Sequence, residues 1–258
     1  MKHTPRKRFG QNFLQDTGLI DRIVQAINPQ IDDHIIEIGP GQGAITRPLL
    51  ENCAHVDVVE IDRDLAAALP ARTATATHRI QTLHQQDVLT LDFSQLNPHQ
   101  PLRIVGNLPY NISTPLLFHL FTHINAIQDI HVMLQKEVVD RLCAQPHDKS
   151  YGRLSVMAQF YCDIDPLLIV PADAFYPKPK VLSAVARLCP KPDETRQLTD
   201  IDRLETIVKS AFSQRRKTLR NTLKQHLTEA QLIDCDIDPN ARAETLALAD
   251  FMRLASIL

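Results

Sequence analysis

His34-Ile35-Ile36-Glu37-Ile38-Gly39-Pro40-Gly41-Gln42-Gly43 is the stretch that decides the fold. Its first five residues read as a strand. The glycines after them read as a strand-to-helix turn, where a ligand can approach the backbone closely. Gly39-x-Gly41-x-x-Ala44 also fits the dinucleotide fingerprint, so the loop alone does not choose its ligand. Three further strands repeat the arrangement. His55-Val56-Asp57-Val58-Val59 runs into Glu60, and a strand near residues 80–83 leads to Asp87. Leu102-Arg103-Ile104-Val105-Gly106, bounded by turn formers as buried parallel strands are, runs into Asn107-Leu108-Pro109-Tyr110. Strands and helices alternate, and with right-handed crossovers all four strand ends fall on one rim of an α/β sheet. That rim is where doubly wound sheets bind ligands.

Two details of the rim favour S-adenosylmethionine over a nicotinamide cofactor. Glu37 stands inside its strand just before the glycines, where an acid orders the loop or reaches a methionine amino group through water. Two more acids then follow at consecutive strand ends. Glu60 is placed to accept both ribose hydroxyls, and Asp87 to accept from the adenine amino group. Either acid alone reads equally well as a solvated strand end, and Asp62 and Asp64 read as turn and helix-start acids. The ordered set of glycines, Glu60, Asp87 and Asn107 is what marks the pocket.

Asn107-Leu108-Pro109-Tyr110 suits an exocyclic amine on a flat base, a poor nucleophile because its lone pair is delocalised into the ring. The Asn107 side-chain oxygen and the Leu108 carbonyl can accept its two N–H bonds and draw the nitrogen toward a tetrahedral geometry. Pro109 has no N–H to compete, and Tyr110 can stack on the base. The plainer reading is an ordinary strand exit, since Asn and Pro are common in turns.

The 258 residues allow one large domain, or one with a small appendage. No apolar run approaches the ~18 residues of a membrane span, and the basic N-terminus lacks a signal peptide's apolar core. Cys53, Cys143, Cys162, Cys189 and Cys235 are odd in number and far apart, matching neither zinc spacing nor a disulfide framework. A reducing cytoplasm is expected. His119 and His123 stand four apart without a third ligand, so a half-buried helix face is expected rather than a metal site. The net charge of −2 conceals three segments without Asp or Glu, residues 1–12, 176–192 and 209–224, which hold 14 of the 28 Lys and Arg. Solvated faces usually mix both signs, so these segments suggest a polyanion-binding surface if they converge.

Along the chain, a helix capped by Asp16 or Thr17 carries Ile20, Ile23, Val24 and Ile27 and ends at Asn28-Pro29. Ser113-Thr114-Pro115 is expected to cap a helix through residue 124. A strand over 127–135, a helix over 136–143 and an apolar helix over 154–161 follow. Strands over 167–170 and 183–188 flank Phe175-Tyr176-Pro177-Lys178-Pro179-Lys180-Val181. The linker Cys189-Pro190-Lys191-Pro192-Asp193-Glu194 marks a composition shift, after which helical periodicity dominates. Residues 1–193 are expected to form the cofactor-binding catalytic domain, and 194–258 a small all-helical RNA-binding domain.

Segments 9–14, 37–46, 60–62, 87–88, 107–110, 151–156, 175–183 and 212–221 resemble the ribosomal RNA adenine N6,N6-dimethyltransferase family, in family order across almost the whole chain. The resemblance implies a class I methyltransferase, Rossmann-like, with a helical C-terminal domain. It implies that Asn12, Leu14, Glu37, Gly39, Gly41, Glu60, Asp87 and Asn107 surround S-adenosylmethionine. Asn107, Leu108, Tyr110 and Phe175 would carry catalysis, the two rings sandwiching an extruded adenine; such stacking contributes ~1–3 kcal/mol per base. Arg6, Lys7, Arg8, Lys178, Lys180, Arg215, Arg216, Lys217 and Arg220 would hold RNA backbone. The implied reaction is dimethylation of two adjacent adenosines in a hairpin loop near the 3′ end of 16S ribosomal RNA. The implied setting is a pre-30S particle late in assembly, with the protein a cytoplasmic monomer. Three rivals stand beside it. They are an assembly factor that lost the chemistry, the sister group acting on large-subunit RNA, and a nicotinamide dehydrogenase, which leaves Asn107–Tyr110 without a purpose.

Overall fold

The computed structural model describes residues 5–6, 10–53, 55–74, 79–97, 99–197 and 199–258. Lys7 and Arg8, expected on the RNA surface, lie outside them. The chain opens with a short strand, β1 (Phe13–Leu14), and helix α1 (Thr17–Ile27). Asp16 caps α1 by accepting from the Leu19 N–H, Asn28 ends it in the left-handed region, and Leu19, Ile23, Val24 and Ile27 are its buried stripe. There follow β2 (His34–Ile38), α2 (Thr46–Asn52), β3 (His55–Val59), α3 (Arg63–Thr73), β4 (Leu83–His84) and β5 (Leu102–Asn107). Then come α4 (Ser113–Thr122), β6 (Ile127–Gln135), α5 (Lys136–Cys143), α6 (Arg153–Tyr161), β7 (Cys162–Val170), β8 (Phe175–Tyr176) and β9 (Ser183–Pro190). The last elements are all helical: α7 (Asp193–Gln197), α8 (Ile201–Ala211), α9 (Leu219–Thr222), α10 (Glu229–Asp234) and α11 (Leu248–Ser256).

Seven strands form one sheet in the order β4-β3-β2-β5-β6-β9-β7. β4, β3, β2, β5 and β6 are parallel, and β9 runs antiparallel to β6. Every residue of β2 is buried, as expected of a strand with both faces covered. The strand expected near 80–83 is only Leu83–His84, although Gln81 and Thr82 still bond to Val56 and Val58 of β3. Ser113 does not cap α4; Ile112 occupies that place without a side-chain bond, and the Ser113 hydroxyl donates to the Tyr110 carbonyl at 3.1 Å. Phe175-Tyr176, read as part of a stiff loop, pairs antiparallel with β1 as a separate two-stranded sheet.

The chain divides into two compact units, and the dividing line is not a single boundary near 193. One unit comprises residues 1–139 and 165–190, the other 140–164 and 191–258. The helical unit recruits α6 because this helix is buried nearly all round, from Leu154 to Tyr161, and needs helices to cover it. The Tyr151 hydroxyl donates to the Leu246 carbonyl at 2.9 Å, and its ring meets Phe212 edge-on. α8 and α11 contribute Leu204, Ile207, Val208, Phe251 and Leu254 to this core.

Candidate active site

A cavity of about 290 Å³ opens at the carboxyl ends of β2, β3 and β5. Its walls come from the segment 10–14, the glycine loop, Glu60, Asp87 and residues 107–112. Gly41 holds φ +58°, and a Cβ there would come within 3.1 Å of the Phe13 ring, so the loop packs flat beneath that aromatic. Gly106 has a similar necessity: a Cβ would stand 2.7 Å from the Ile38 carbonyl, where β5 approaches β2.

Three acids line the cavity, each held differently. Glu37 is 2 % exposed, and its Oε2 has no hydrogen-bond partner among the described residues. Burial pushes its carboxyl up to about 7; the nearby Thr46 hydroxyl opposes this and the charge of Glu60 adds to it. Glu60 accepts from the Gly41 N–H at 3.2 Å and the Asp62 N–H at 2.9 Å, leaving lone pairs on both oxygens. Burial raises its carboxyl too, against those N–H bonds. Asp87 is exposed and accepts from the Leu89 N–H at 3.0 Å.

These groups fit S-adenosylmethionine. An unpartnered buried carboxylate needs a cation or a donor, and the methionine ammonium supplies both. Glu60 has acceptor capacity for ribose hydroxyls, and the loop admits close approach to its backbone. Two neighbouring buried acids would instead repel a pyrophosphate, which disfavours the dinucleotide alternative.

The turn Asn107-Leu108-Pro109-Tyr110 is set by long-range bonds. The Asn107 side-chain Nδ2 donates to the Asn12 carbonyl at 3.0 Å, which turns its Oδ1 away as the free acceptor. Leu108 is buried, its N–H donates to the Met133 carbonyl at 3.1 Å, and no described donor takes its own carbonyl. Tyr110 lines the cavity, its hydroxyl 2.7 Å from the Ser183 Oγ. Burial raises that phenol above its ordinary value, so the residue offers a ring face rather than a proton.

The structure corrects several expected roles. Phe175 does not line the cavity; it is 5 % exposed and packed in the core with Leu14, Val170 and Val185. Pairing with β1 alternates the two side chains, turning Phe175 inward and Tyr176 out. Arg6 is held within the protein: its guanidinium bonds Asp62 at 3.0 Å and also pairs with Asp64. Gln11 joins the same carboxylate through its Nε2 at 3.0 Å, fastening the segment before β1 beside the ribose acid. Arg215 bonds Glu244 and the Lys149 carbonyl, and Lys178 pairs with Asp173. Lys180, Arg216, Lys217 and Arg220 are exposed. His119 and His123 stack edge-on beside Phe93, with His119 bonded to the Leu91 carbonyl. Gln11, Phe13, Asp62 and Ser183 were not read as site residues. All four lie inside matching segments, but nothing near Ser183 in sequence points to Tyr110.

A Rossmann-like sheet whose carboxyl rim joins a glycine loop to buried acids and an Asn-Leu-Pro-Tyr turn defines a class I S-adenosylmethionine-dependent methyltransferase. The sequence profile described as "Ribosomal RNA adenine dimethylase" matches residues 2–258. "Ribosomal RNA small subunit methyltransferase A" of Yersinia pestis (strain Pestoides F) is 52% identical over 258 residues, 99% of this chain and 94% of that protein. The protein of the same name from Yersinia pseudotuberculosis serotype O:1b (strain IP 31758) has the same identity and coverage. Among solved structures, a dimethyladenosine transferase from Plasmodium falciparum superposes with TM-score 0.79 at 25% identity, covering 94% of this chain and 95% of that one. The 23S rRNA methyltransferase ErmE gives TM-score 0.70 at 25% identity, covering 95% and 98%. The chain belongs to the ribosomal RNA adenine dimethylase family. It is an enzyme that uses S-adenosylmethionine and acts on ribosomal RNA.

Proposed function

We propose that this enzyme dimethylates N6 of two adjacent adenosines in a hairpin loop near the 3′ end of 16S ribosomal RNA, within a pre-30S particle. The observation that carries the chemistry is the bond from Asn107 Nδ2 to the Asn12 carbonyl. It commits the amide nitrogen and leaves Asn107 Oδ1 as an acceptor beside the unbonded Leu108 carbonyl. Two acceptors side by side match the two N–H bonds of an adenine amine and orient its lone pair outward from the ring. S-adenosylmethionine supplies an electrophilic methyl group on a sulfonium. Tyr110 holds the face of the extruded base, and single-stranded loops make extrusion cheap. The methylated ammonium is acidic enough to lose its proton to water, so the chain needs no positioned base. After the first transfer the amine rotates and presents its remaining N–H to the same acceptors.

The 52% identity to small-subunit enzymes, against 25% to ErmE, supports the small-subunit RNA over its large-subunit sister. Lys178, Lys180, Arg215, Arg216, Lys217 and Arg220 are proposed to meet phosphates, with Arg215 and Lys178 first released from their acidic partners. Residues 1–193 and 194–258 are proposed as the catalytic and RNA-binding parts. No helix among the described residues is long and apolar enough to cross a membrane. The enzyme is proposed to act as a monomer in the cytoplasm.

The test is methyl incorporation from labelled cofactor into small-subunit particles that lack the modification. Asn107→Ala is expected to lower turnover by at least about 10²-fold, the scale for losing one acceptor or donor aimed at reacting atoms, while cofactor binding largely survives. Retained turnover in the purified variant defeats the assignment. Transfer to large-subunit RNA instead would move it to the sister group.

A further inference from the structure

Ser183 is fully buried at the start of β9, seventy-three positions from Tyr110, and no local pattern connects the two. Its position is imposed by the sheet. It pairs with Gln135 at the end of β6, and the adjacent Leu182 carbonyl accepts from the Lys136 N–H at 2.9 Å. The hydroxyl so placed lies 2.7 Å from the Tyr110 hydroxyl, the one hydrogen bond to that phenol among the described residues. A buried hydroxyl without a partner is costly, and here each group satisfies the other. The consequence for Tyr110 is geometric. At its Cα end the ring is anchored by a turn in which Ile112 N–H bonds the Pro109 carbonyl and the Ser113 hydroxyl bonds the Tyr110 carbonyl. At its far end the ring is pinned to a rigid strand. A ring held at both ends cannot tilt, and the energy of base stacking depends on that plane.

We propose that Ser183 is a positioning residue for methyl transfer, fixing the Tyr110 ring as the wall against which the target base lies. The inference deepens the function given above and rests on Tyr110 facing the base. It also ties the segment Tyr176-Pro177-Lys178-Pro179-Lys180-Val181-Leu182, exposed except at Pro179, to the reaction. That segment is anchored at its beginning by the pairing of Tyr176 with Phe13, which lines the cavity, and at its end by Ser183. A contact that moves the segment moves the ring.

The experiment compares Ser183→Ala, Ser183→Thr, Tyr110→Phe and the Ser183→Ala/Tyr110→Phe double variant in the full-length enzyme, reading kcat on small-subunit particles, cofactor Kd and thermal midpoint. Ser183→Ala and Tyr110→Phe are each expected to lower kcat about fivefold to tenfold, the scale of one hydrogen bond, with cofactor Kd unchanged. Ser183→Thr keeps the hydroxyl and is expected to recover most of the rate. The double variant is expected to be no slower than either single one. Losses that multiply in the double variant, or a Tyr110→Phe enzyme at full rate, overturn the proposal. Tyr110→Phe leaves Ser183 in place, so it decides the matter even if Ser183→Ala does not fold. Should the unaltered enzyme transfer no methyl to the particle, the reading of function falls. Should it be active, with Asn107→Ala dead and Ser183→Ala unimpaired in kcat, the positioning role alone falls.

Discussion

The two rims of the sheet use the same strands for opposite ends. At the amino rim most buried polar groups close on one another, although Asp57 Oδ1 has no hydrogen-bond partner among the described residues. Arg103 donates to Asp129 at 2.8 Å, to the Ile27 carbonyl at 2.6 Å and to Asp33, and His34 lies 2.9 Å from Asp57. At the carboxyl rim, three or four residues further along, β2 ends beyond Glu37, whose Oε2 has no partner among the described residues, and β5 ends at Asn107 and a Leu108 carbonyl that no described donor takes. Polar groups that satisfy each other hold a fold together, whereas buried groups left unsatisfied are a cost that a ligand relieves. The Arg103 cluster, with its four partners, therefore serves stability, while the open acceptors at the carboxyl rim face the cavity where a ligand can meet them.

The closed rim is the place to break this comparison first. Arg103→Met leaves Asp33 and Asp129 buried without their cation, and unfolding in urea is expected to show a loss of about 3–5 kcal/mol. A loss below about 1 kcal/mol would mean that the amino rim is no more closed than the other. Glu37→Gln should do the reverse at the open rim. Its carboxyl, raised from 4.5 to about 7, contributes stability that is full below 4.5 and is lost as pH rises through about 7. The cofactor-free variant should fall less steeply across that window, the raised Glu60 keeping part of the slope, and be more stable above it, by up to about 3 kcal/mol. Its cofactor affinity should lose the rise that the parent enzyme shows through pH 7. Denaturation and titration calorimetry at pH 5 and 8 check both signs, and a parent enzyme whose stability climbs from pH 5 to 7 contradicts the first. The smallest effect belongs to the fastening of residues 10–14. Arg6→Gln removes partly exposed ion pairs to Asp62 and Asp64, and is expected to raise cofactor Kd only about twofold to fivefold. An unchanged Kd would mean that Gln11 and β1 hold that segment unaided.

What the sequence made legible is what neighbouring residues decide. The strand before Gly39, the caps at Asp16 and Asp62, and the ends of β6 and α5 follow from patterning and capping within a dozen residues. The glycine loop, Glu60, Asp87 and Asn107 were readable as one pocket because parallel topology brings successive strand ends to one rim. The failures share a cause. Phe175 was expected as a second stacking ring in a proline-stiffened connection, but strand alternation against Leu14 turned it into the core. The partner of Arg6 was equally hidden, since Asp62 reaches it from 56 positions away.

The chain's own order of residues determined the α/β alternation, the rim where ligands bind and the chemical types gathered there, since each rests on periodicity and turn chemistry. Only the folded chain decided how those groups face. Asn107 is turned by the Asn12 carbonyl, Tyr110 is pinned by Ser183, and α6 leaves the sheet for the helices of the C-terminal unit. Such contacts join residues far apart in sequence, and their partners are selected by the packing of the sheet, which no local pattern encodes.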